Sequence, residues 1–374
     1  MNNNDTHPHQ LEQAFMTYYY IPAHFKSRNQ AMRLIQIILL AFFTVHVSAF
    51  NVFSQANEVQ IRPDMDPAAL QNQLRSLQPG STIRLLPGRH TKQLHFSNLH
   101  GTPSTPILIT ASPDAILEGP YNGSSDTFTK SSGILLDSSS DIVLEQLTIS
   151  GFERGITIGG CRSVTVKSNK IHDIGNYGVM NYHSDGTKIT GNKIERSYRE
   201  HGIYVSESGK DIEVLDNIIQ DTHINGIHIN GNIPKPIVTG NTLLRTGSFP
   251  TKEGGAGLTL VGGTTEPVVE RNTFKDIYGQ GITTEAPNST IKDNTFESYS
   301  WSGILGLPKA QGLKLVNNTF RDSKVIPLQL YPVVLSSLSA TGNRYSTSGP
   351  VCQEYDSNRT YGLKQWREIG KDAQ

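Results

Sequence analysis

An asparagine recurs along this chain with a spacing that few folds can accommodate: Asn169, Asn192, Asn217, Asn241, Asn272, Asn294, Asn318 and Asn343. The successive gaps are 23, 25, 24, 31, 22, 24 and 25 residues. Three residues before each stands Val166, Ile189, Val214, Val238, Val269, Ile291, Leu315 or Ala340. Two residues after each stands Ile171, Ile194, Ile219, Leu243, Phe274, Phe296, Phe320 or Tyr345. The segment Val143–Gln146 adds an earlier coil, with Gln146 in the asparagine place. A fixed period of this length marks a solenoid.

One coil of some 24 residues cannot bury its own apolar side chains, but stacked copies can. Strands then pair with their copies above and below, about 4.8 Å away. Like side chains pile into columns, and a stacked amide can donate to one neighbour and accept from the other. The asparagines are therefore read as structural. The expected fold is all-β: a single-domain right-handed parallel β-helix with three strands per coil and an N-terminal helical cap. Asp66-Pro67 fits a helix start, Leu70, Leu74 and Leu77 share one helical face, and Pro79-Gly80 ends it. Leu363, Trp366 and Ile369 are expected to close the other end.

Thirty-three basic residues balance thirty-three acidic ones, so no global field recruits nucleic acid or an anionic membrane. Cys161 and Cys352 lie eight coils apart, roughly 38 Å at about 4.8 Å per coil, too far for a disulfide. Both are read as free thiols. Met32-Arg33 precedes an apolar run through Ile38, Leu39, Leu40, Phe42, Phe43 and Val47, followed by small residues at Ala49 and Ala56. That pattern predicts a secretory signal peptide, with an uncleaved anchor as the alternative. The expected organisation is an over-extended or disordered N-terminus over 1–31, a signal peptide over 32–56 and an N-terminal cap with the first strands over 57–99. The β-helix follows over 100–350 and a C-terminal cap over 351–374. A secreted or periplasmic monomer, free of the membrane after cleavage, is expected.

A second landmark locates the candidate site. Gly178, Gly202, Gly226, Gly281 and Gly303 each stand nine or ten residues past their asparagine, whereas Gly257 stands sixteen past Asn241. Length variation is thus concentrated just before the glycine strand, where loops on a rigid rod commonly carry function. Strand alternation puts Ile203, Val205, Ile227 and Ile229 inward. Met180, Tyr204 and His228 then form one outward column, with Tyr182, Ser206 and Asn230 beside it. His183 follows Tyr182, and Tyr177, Arg199, Glu200, His201, His223 and Asn225 are placed at the rim. The long connection around 248–255, with Lys252, is expected to wall a groove beside His228.

These columns resemble the parallel β-helix repeat of carbohydrate-binding proteins and sugar hydrolases over about residues 100–350. The stretches Pro79–Ile83 and Gly101–Ile107 look like the start of family 6 polysaccharide lyases. Arg199-Glu200-His201-Gly202-Ile203-Tyr204-Val205-Ser206 is similar to a coil of bacterial mannuronan C5-epimerases. Where those enzymes carry a Tyr-Gly-x-Asp-Pro-His motif one coil earlier, Tyr177-Gly178-Val179-Met180-Asn181-Tyr182-His183 lacks the Asp and Pro.

Removing the proton beside a uronate carboxylate requires that its charge be neutralised, that a base take the proton and that an acid serve the leaving oxygen. Tyr204, His228, His201 and Arg199 are the candidate catalytic residues. Tyr182, His183, Asn230, Tyr177, Asn225 and Lys252 are the candidate substrate contacts. The expected activity is β-elimination or C5-epimerisation of an acidic polysaccharide. The alternatives are a glycoside hydrolase, a non-catalytic glycan-binding rod and a structural surface protein. No cofactor is expected. Ca²⁺, which wants six to eight oxygens, is kept as the lesser option because Asp185, Glu207 and Glu285 form no regular pattern. Protein recovered from the medium or periplasm should begin near Phe50 or Asn57. N-terminal sequencing that recovers residues 1–31 would contradict the signal assignment.

Overall fold

The computed structural model describes residues 57–121, 131–321 and 324–372. The expected signal segment lies outside them. Over these residues the chain winds as a right-handed parallel β-helix of about 12 turns. Among the described residues the first sheet has 12 strands, from Glu58–Ile61 to Ser339–Thr341. The second has 11, from Gly88–His90 to Arg344–Tyr345, and the third has 12, from Leu94–Ser97 to Thr360–Tyr361. Every pairing is parallel except the last, where Cys352–Glu354 meets Thr360–Tyr361. Pairing begins well before residue 100, with Glu58 opposite Thr82.

The asparagines mark the turn from the first sheet to the second. The residue before each is left-handed: Ser168, Gly191, Asp216, Gly240, Arg271, Asp293, Asn317 and Gly342 all have φ between 53° and 70°. That conformation swings the asparagine side chain inward, and the stack follows. Asn192 Nδ2 donates to Asn217 Oδ1 at 2.9 Å and to the Val166 carbonyl at 2.9 Å, and its backbone N–H also donates to Asn217 Oδ1. The same bonds repeat from Asn169 to Asn343. From Asn192 onward each amide oxygen receives two donors, while Asn169 Oδ1 accepts from the Leu147 amide, so every buried amide oxygen of the stack is paired. Gln146 is not part of this stack. Leu144 pairs with Val166, which aligns Leu147 with Asn169, and Gln146 is the exposed left-handed residue beside it. The position was misjudged by one because that coil carries no asparagine.

The columns two residues later fill the core. Phe274, Phe296, Phe320 and Tyr345 stack with centroids 4.8, 4.7 and 5.2 Å apart and planes within 10°. The glycines of the third sheet fit against this column. A Cβ on Gly202 would stand 2.4 Å from Ile219 Cγ2 and 2.7 Å from the Gly226 carbonyl oxygen, so the corner admits no side chain. Cys161 and Cys352 are buried free thiols.

Helix α1 (Pro67–Leu74) starts at Asp66, whose carboxylate accepts from the Ala68 and Ala69 amides, and it buries Leu70 and Leu74. Helix α2 (Pro332–Ser337) was not foreseen and buries Val334 and Leu335. Helix α3 (Leu363–Glu368) closes the far end through Trp366 alone. Leu363 and Ile369 are exposed, correcting the expected three-residue plug: α3 is six residues long and Ile369 lies past its end. Among the described residues no helix is long and apolar enough to cross a membrane.

Asp372 completes the asparagine stack. Its Oδ1 accepts from the Asn343 backbone and side-chain amides at 2.9 and 2.8 Å. Its Oδ2 accepts from Tyr345 Oη and Trp366 Nε1, both at 2.9 Å. Four donors depend on one carboxylate. Asp372→Ala should therefore destabilise the protein by about 3 kcal/mol, since an orphaned buried donor costs about 1–3 kcal/mol. Chemical denaturation followed by tryptophan fluorescence would measure it, and an unchanged midpoint would contradict the capping role.

Candidate functional site

The stack fixes register, and register sets the outward columns of the third sheet. Met180 lies opposite Tyr204 and Tyr204 opposite His228, while Tyr182, Ser206 and Asn230 align beside them, as the repeat implied. The Tyr204 ring lies 5.0 Å from Tyr177, near-parallel at 28°, and 5.1 Å from His228. Asn230 Nδ2 donates weakly to Tyr204 Oη at 3.4 Å. Tyr177, Tyr204 and His228 thus form a half-buried aromatic row.

His201 is not a rim residue. It is 5 % exposed, beneath the row, with Nε2 2.8 Å from His228 Nδ1 and its ring 5.4 Å from Tyr204. The strand bends at Gly202, which turns the preceding side chain under the sheet's outer face. Asn225 is buried too: its Oδ1 accepts from the Ala256 amide and from Thr259 Oγ1, so its side chain is committed to the next coil. Arg199 is exposed, and its charge acts on Glu200.

Burial controls the electrostatics. It lowers His228 to about 4 and holds His201 well below the ordinary histidine range, with His228 and His223 adding to the latter. It raises the Glu200 carboxyl against the opposing charges of His223 and Arg199. Tyr177 is pushed up to about 12, first by burial and then by Glu200 and Tyr204, with Arg154 acting in the opposite sense.

A depression of about 430 Å³ opens on the same face, one coil toward the N-terminus of the row. Gln93, Ser132, Leu135, Arg154, Thr157, Met180, Tyr182, His183, Ser206 and Glu207 line it. It includes the expected contacts Tyr182 and His183 and meets the aromatic row through Met180 and Ser206, the register partners of Tyr204 and Asn230. Its shape owes much to Gly159, which lies opposite Tyr182. A Cβ there would stand 2.4 Å from Tyr182 Oη, so the bare glycine lets that ring lie across the preceding coil. Arg154 is the residue that the sequence reading missed. It is half-buried opposite Tyr177, and its Nε is enclosed without a hydrogen-bond partner among the described residues. Its place just before Gly155 on the glycine strand was the available signal.

The long connection sits elsewhere. Phe249 packs on Tyr198 at 4.9 Å, and its carbonyl accepts from His223 Nδ1 at 3.1 Å. Glu253 lies 3.3 Å from His223, and Lys252 lies 5.6 Å over the Tyr278 ring. None of these residues lines the depression, and the loop braces the rim around His223. Among the described residues no three His, Cys, Asp or Glu side chains converge as metal ligands.

Fold and face together define a right-handed parallel β-helix with a polar groove along one sheet, and known proteins share that architecture. The family described as "Right handed beta helix region" matches residues 122–274. The protein YclG of Bacillus subtilis (strain 168), named as uncharacterized, is 25% identical over 217 residues, 56% of this chain. That match spans 31% of YclG, less than a third of its length. Among solved structures, pectate lyase Pel9A superposes with a TM-score of 0.62 at 13% identity, over 78% of this chain and 80% of its own. The alginate lyase of Paenibacillus sp. str. FPU-7 gives 0.52 at 17% identity over 80% and 98%. The lacto-N-biosidase of Eubacterium ramulus gives 0.57 at 13% over 87% and 70%. At these identities the likeness establishes the fold.

The low value for His228 has a consequence for stability. An unfolded histidine takes up a proton near pH 6.5, whereas folded His228 resists it until about 4. The stability present at pH 7 is therefore lost as pH falls from about 6.5 to about 4, by at most about 3 kcal/mol for this group. Urea midpoints at pH 7 and pH 4.5 should differ less in His228→Gln than in the wild type. An equal acid sensitivity in the two proteins would refute the assignment.

Proposed function

We propose that this protein is a carbohydrate-active β-helix that processes an acidic, uronate-containing polysaccharide along the outer face of its third sheet. The observation that carries this reading is the continuity of the Arg154 groove with the Tyr177–Tyr204–His228 row. A groove that crosses several coils suits an extended polymer. Its aromatic and hydroxyl side chains suit sugar faces and hydroxyls. Arg154 supplies a cation whose Nε lacks a partner, in a chain with no net charge. The names of two proteins of the same architecture, an alginate lyase and a pectate lyase, point the same way.

Chemically, the Arg154 guanidinium would pair with the uronate carboxylate and offset the charge that builds when the C5–H bond breaks. The C5 proton would pass to the ionised Tyr204 oxygen, and the electron pair left at C5 would then either expel the C4 oxygen, which takes a proton from the Tyr204 hydroxyl so formed and leaves an unsaturated sugar, or recover a proton from solvent on the opposite face. The Tyr204 hydroxyl is the half-exposed group of the row able to give or take a proton beside the groove. Its orientation is held by rings on both sides.

A glycoside hydrolase remains the second reading, favoured by two carboxyl groups that both act on Tyr177. Glu200 is raised by burial, and Glu153 is buried with Oε2 unpartnered. Such a pair is what hydrolysis uses.

Incubation with alginate, polygalacturonate and neutral glycans separates these outcomes. Ultraviolet absorbance from new double bonds indicates elimination, altered C5 stereochemistry by NMR indicates epimerisation, and reducing ends without absorbance indicate hydrolysis. With an acidic substrate, Tyr204→Phe should lower kcat by about two to four powers of ten. Arg154→Ala should mainly raise KM, and added salt should move the wild type the same way. Unchanged turnover in folded Tyr204→Phe would remove this residue from the chemistry.

A further inference from the structure

The proposed function leaves open what the two touching histidines do. Nδ1 of buried His201 lies 3.3 Å from the Asn225 backbone nitrogen, with the N–H directed at it. A backbone N–H can only donate, so Nδ1 of His201 accepts and carries no proton. A neutral imidazole must then hold its proton on Nε2. Nε2 faces His228 Nδ1 at 2.8 Å and the Glu200 carboxyl at 3.5 Å, both acceptors for that proton. His228 Nδ1 is thereby occupied as an acceptor, and the proton of neutral His228 must sit on Nε2. Direction therefore passes along the chain from a fixed peptide donor to the far nitrogen of the second ring.

We propose that the Asn225 amide, His201 and His228 form a one-way hydrogen-bond relay that locks both imidazoles as Nε2–H tautomers, with His201 the positioning residue and His228 a proton donor rather than a base. The residue types alone left the roles of base and acid open among Tyr204, His228 and His201. The surroundings agree. Both rings stay neutral through burial, so neither relay member becomes a cation that would break the direction. The opposite sense would set His201 Nδ1–H against the Asn225 N–H, two donors face to face in a buried site. The carboxamide of Asn225 cannot reverse it, because its oxygen is held by Ala256 and Thr259 and fixes the peptide from the other side.

His228 Nε2 is enclosed and has no partner among the described residues, although the ring is half-exposed. An enclosed N–H without an acceptor is unfavourable. The chemistry that would satisfy it is an oxygen acceptor such as a sugar hydroxyl, ring oxygen or carboxylate, reaching it as the outward side chains of the row adjust. This donor role rests on the glycan reading. The relay itself does not, so it can fail or hold separately.

Long-range ¹H–¹⁵N NMR of the ¹⁵N-labelled protein without ligand distinguishes the tautomers directly. At pH 7 both histidines should show a protonated Nε2 and an unprotonated Nδ1, and the pattern should persist to about pH 5. His201→Phe, which fills the slot without nitrogen, identifies the His201 signals by their loss. In that variant His228 should relax to a tautomer mixture and titrate nearer the ordinary histidine range, because no donor then blocks Nδ1. An Nδ1–H tautomer for either residue in the wild type would overturn the relay, as would an imidazolium at pH 6. So would an unaltered His228 tautomer in folded His201→Phe. If His201→Phe does not fold, the wild-type spectrum still decides, since it reports both rings.

Discussion

The structure depends on one repeated interaction, the stacked asparagine amide. A parallel solenoid has little else to define register, because most of its core is a set of similar aliphatic columns that would tolerate slippage. The amide differs from a methyl group in being directional. Asn217 gives both its side-chain protons, to Asn241 and to Ile189, and receives two more, from Asn192. Shifting a coil by one residue would break four buried hydrogen bonds and turn every strand residue to the opposite face. The stack thus sets which side chains point outward on a sheet it does not itself belong to. It also needs an end, and Asp372 supplies one: a carboxylate accepts without having to donate onward.

How much of this was legible follows from what repeats. The asparagine and aromatic columns, the free cysteines, the outward pairing of Tyr204 with His228 and the helical start at Asp66 all depend on period or local pattern. Residues that interrupt the period were harder. Gln146 was displaced by one because its coil has Leu147 in the marked position. His201 and Asn225 were placed at the rim because strict alternation was carried through the glycine corner, where the strand bends. The groove was invisible for a different reason. Its lining is gathered from successive coils between Gln93 and Glu207, one to three residues from each, and no coil alone contains it. Arg154 was passed over as an ordinary charge before a glycine, and only its enclosure beside Tyr177 sets it apart.

Zero net charge and a local cation are compatible because the surface charges are paired along the rod. Asp173 with Arg196, and Asp221 with Arg245, form bidentate contacts between neighbouring coils. Burial alone would raise Asp173, yet the Arg196 and His172 contacts hold it at about 2. These pairs sit where the second sheet hands the chain to the connection before the third. They stiffen that connection, and Tyr198 takes its bearing from Asp173 and then carries Phe249 of the long loop. Arginines committed this way offer little to a ligand, which leaves Arg154 as the cation of the groove.

The same geometry limits what kind of catalyst the rod could be. Its outward groups are held by neighbours on both sides, with Tyr204 between two rings and His228 against a buried histidine. Such groups would need little reorganisation on binding a ligand, which favours electrostatic preorganisation over closure of a lid. The long connection, the natural candidate for a lid, is instead tied down on Tyr198, His223 and Tyr278. Selectivity would then have to come from fixed features: the width left by Gly159, the ring of Tyr182 and the charge of Arg154. On the proposed function, a rigid site of that kind would discriminate well between acidic and neutral chains, because a carboxylate changes the interaction with Arg154 by a full charge. It would discriminate poorly between uronates that differ at one hydroxyl, since each outward column offers several hydroxyl and amide partners at a spacing of about 4.8 Å.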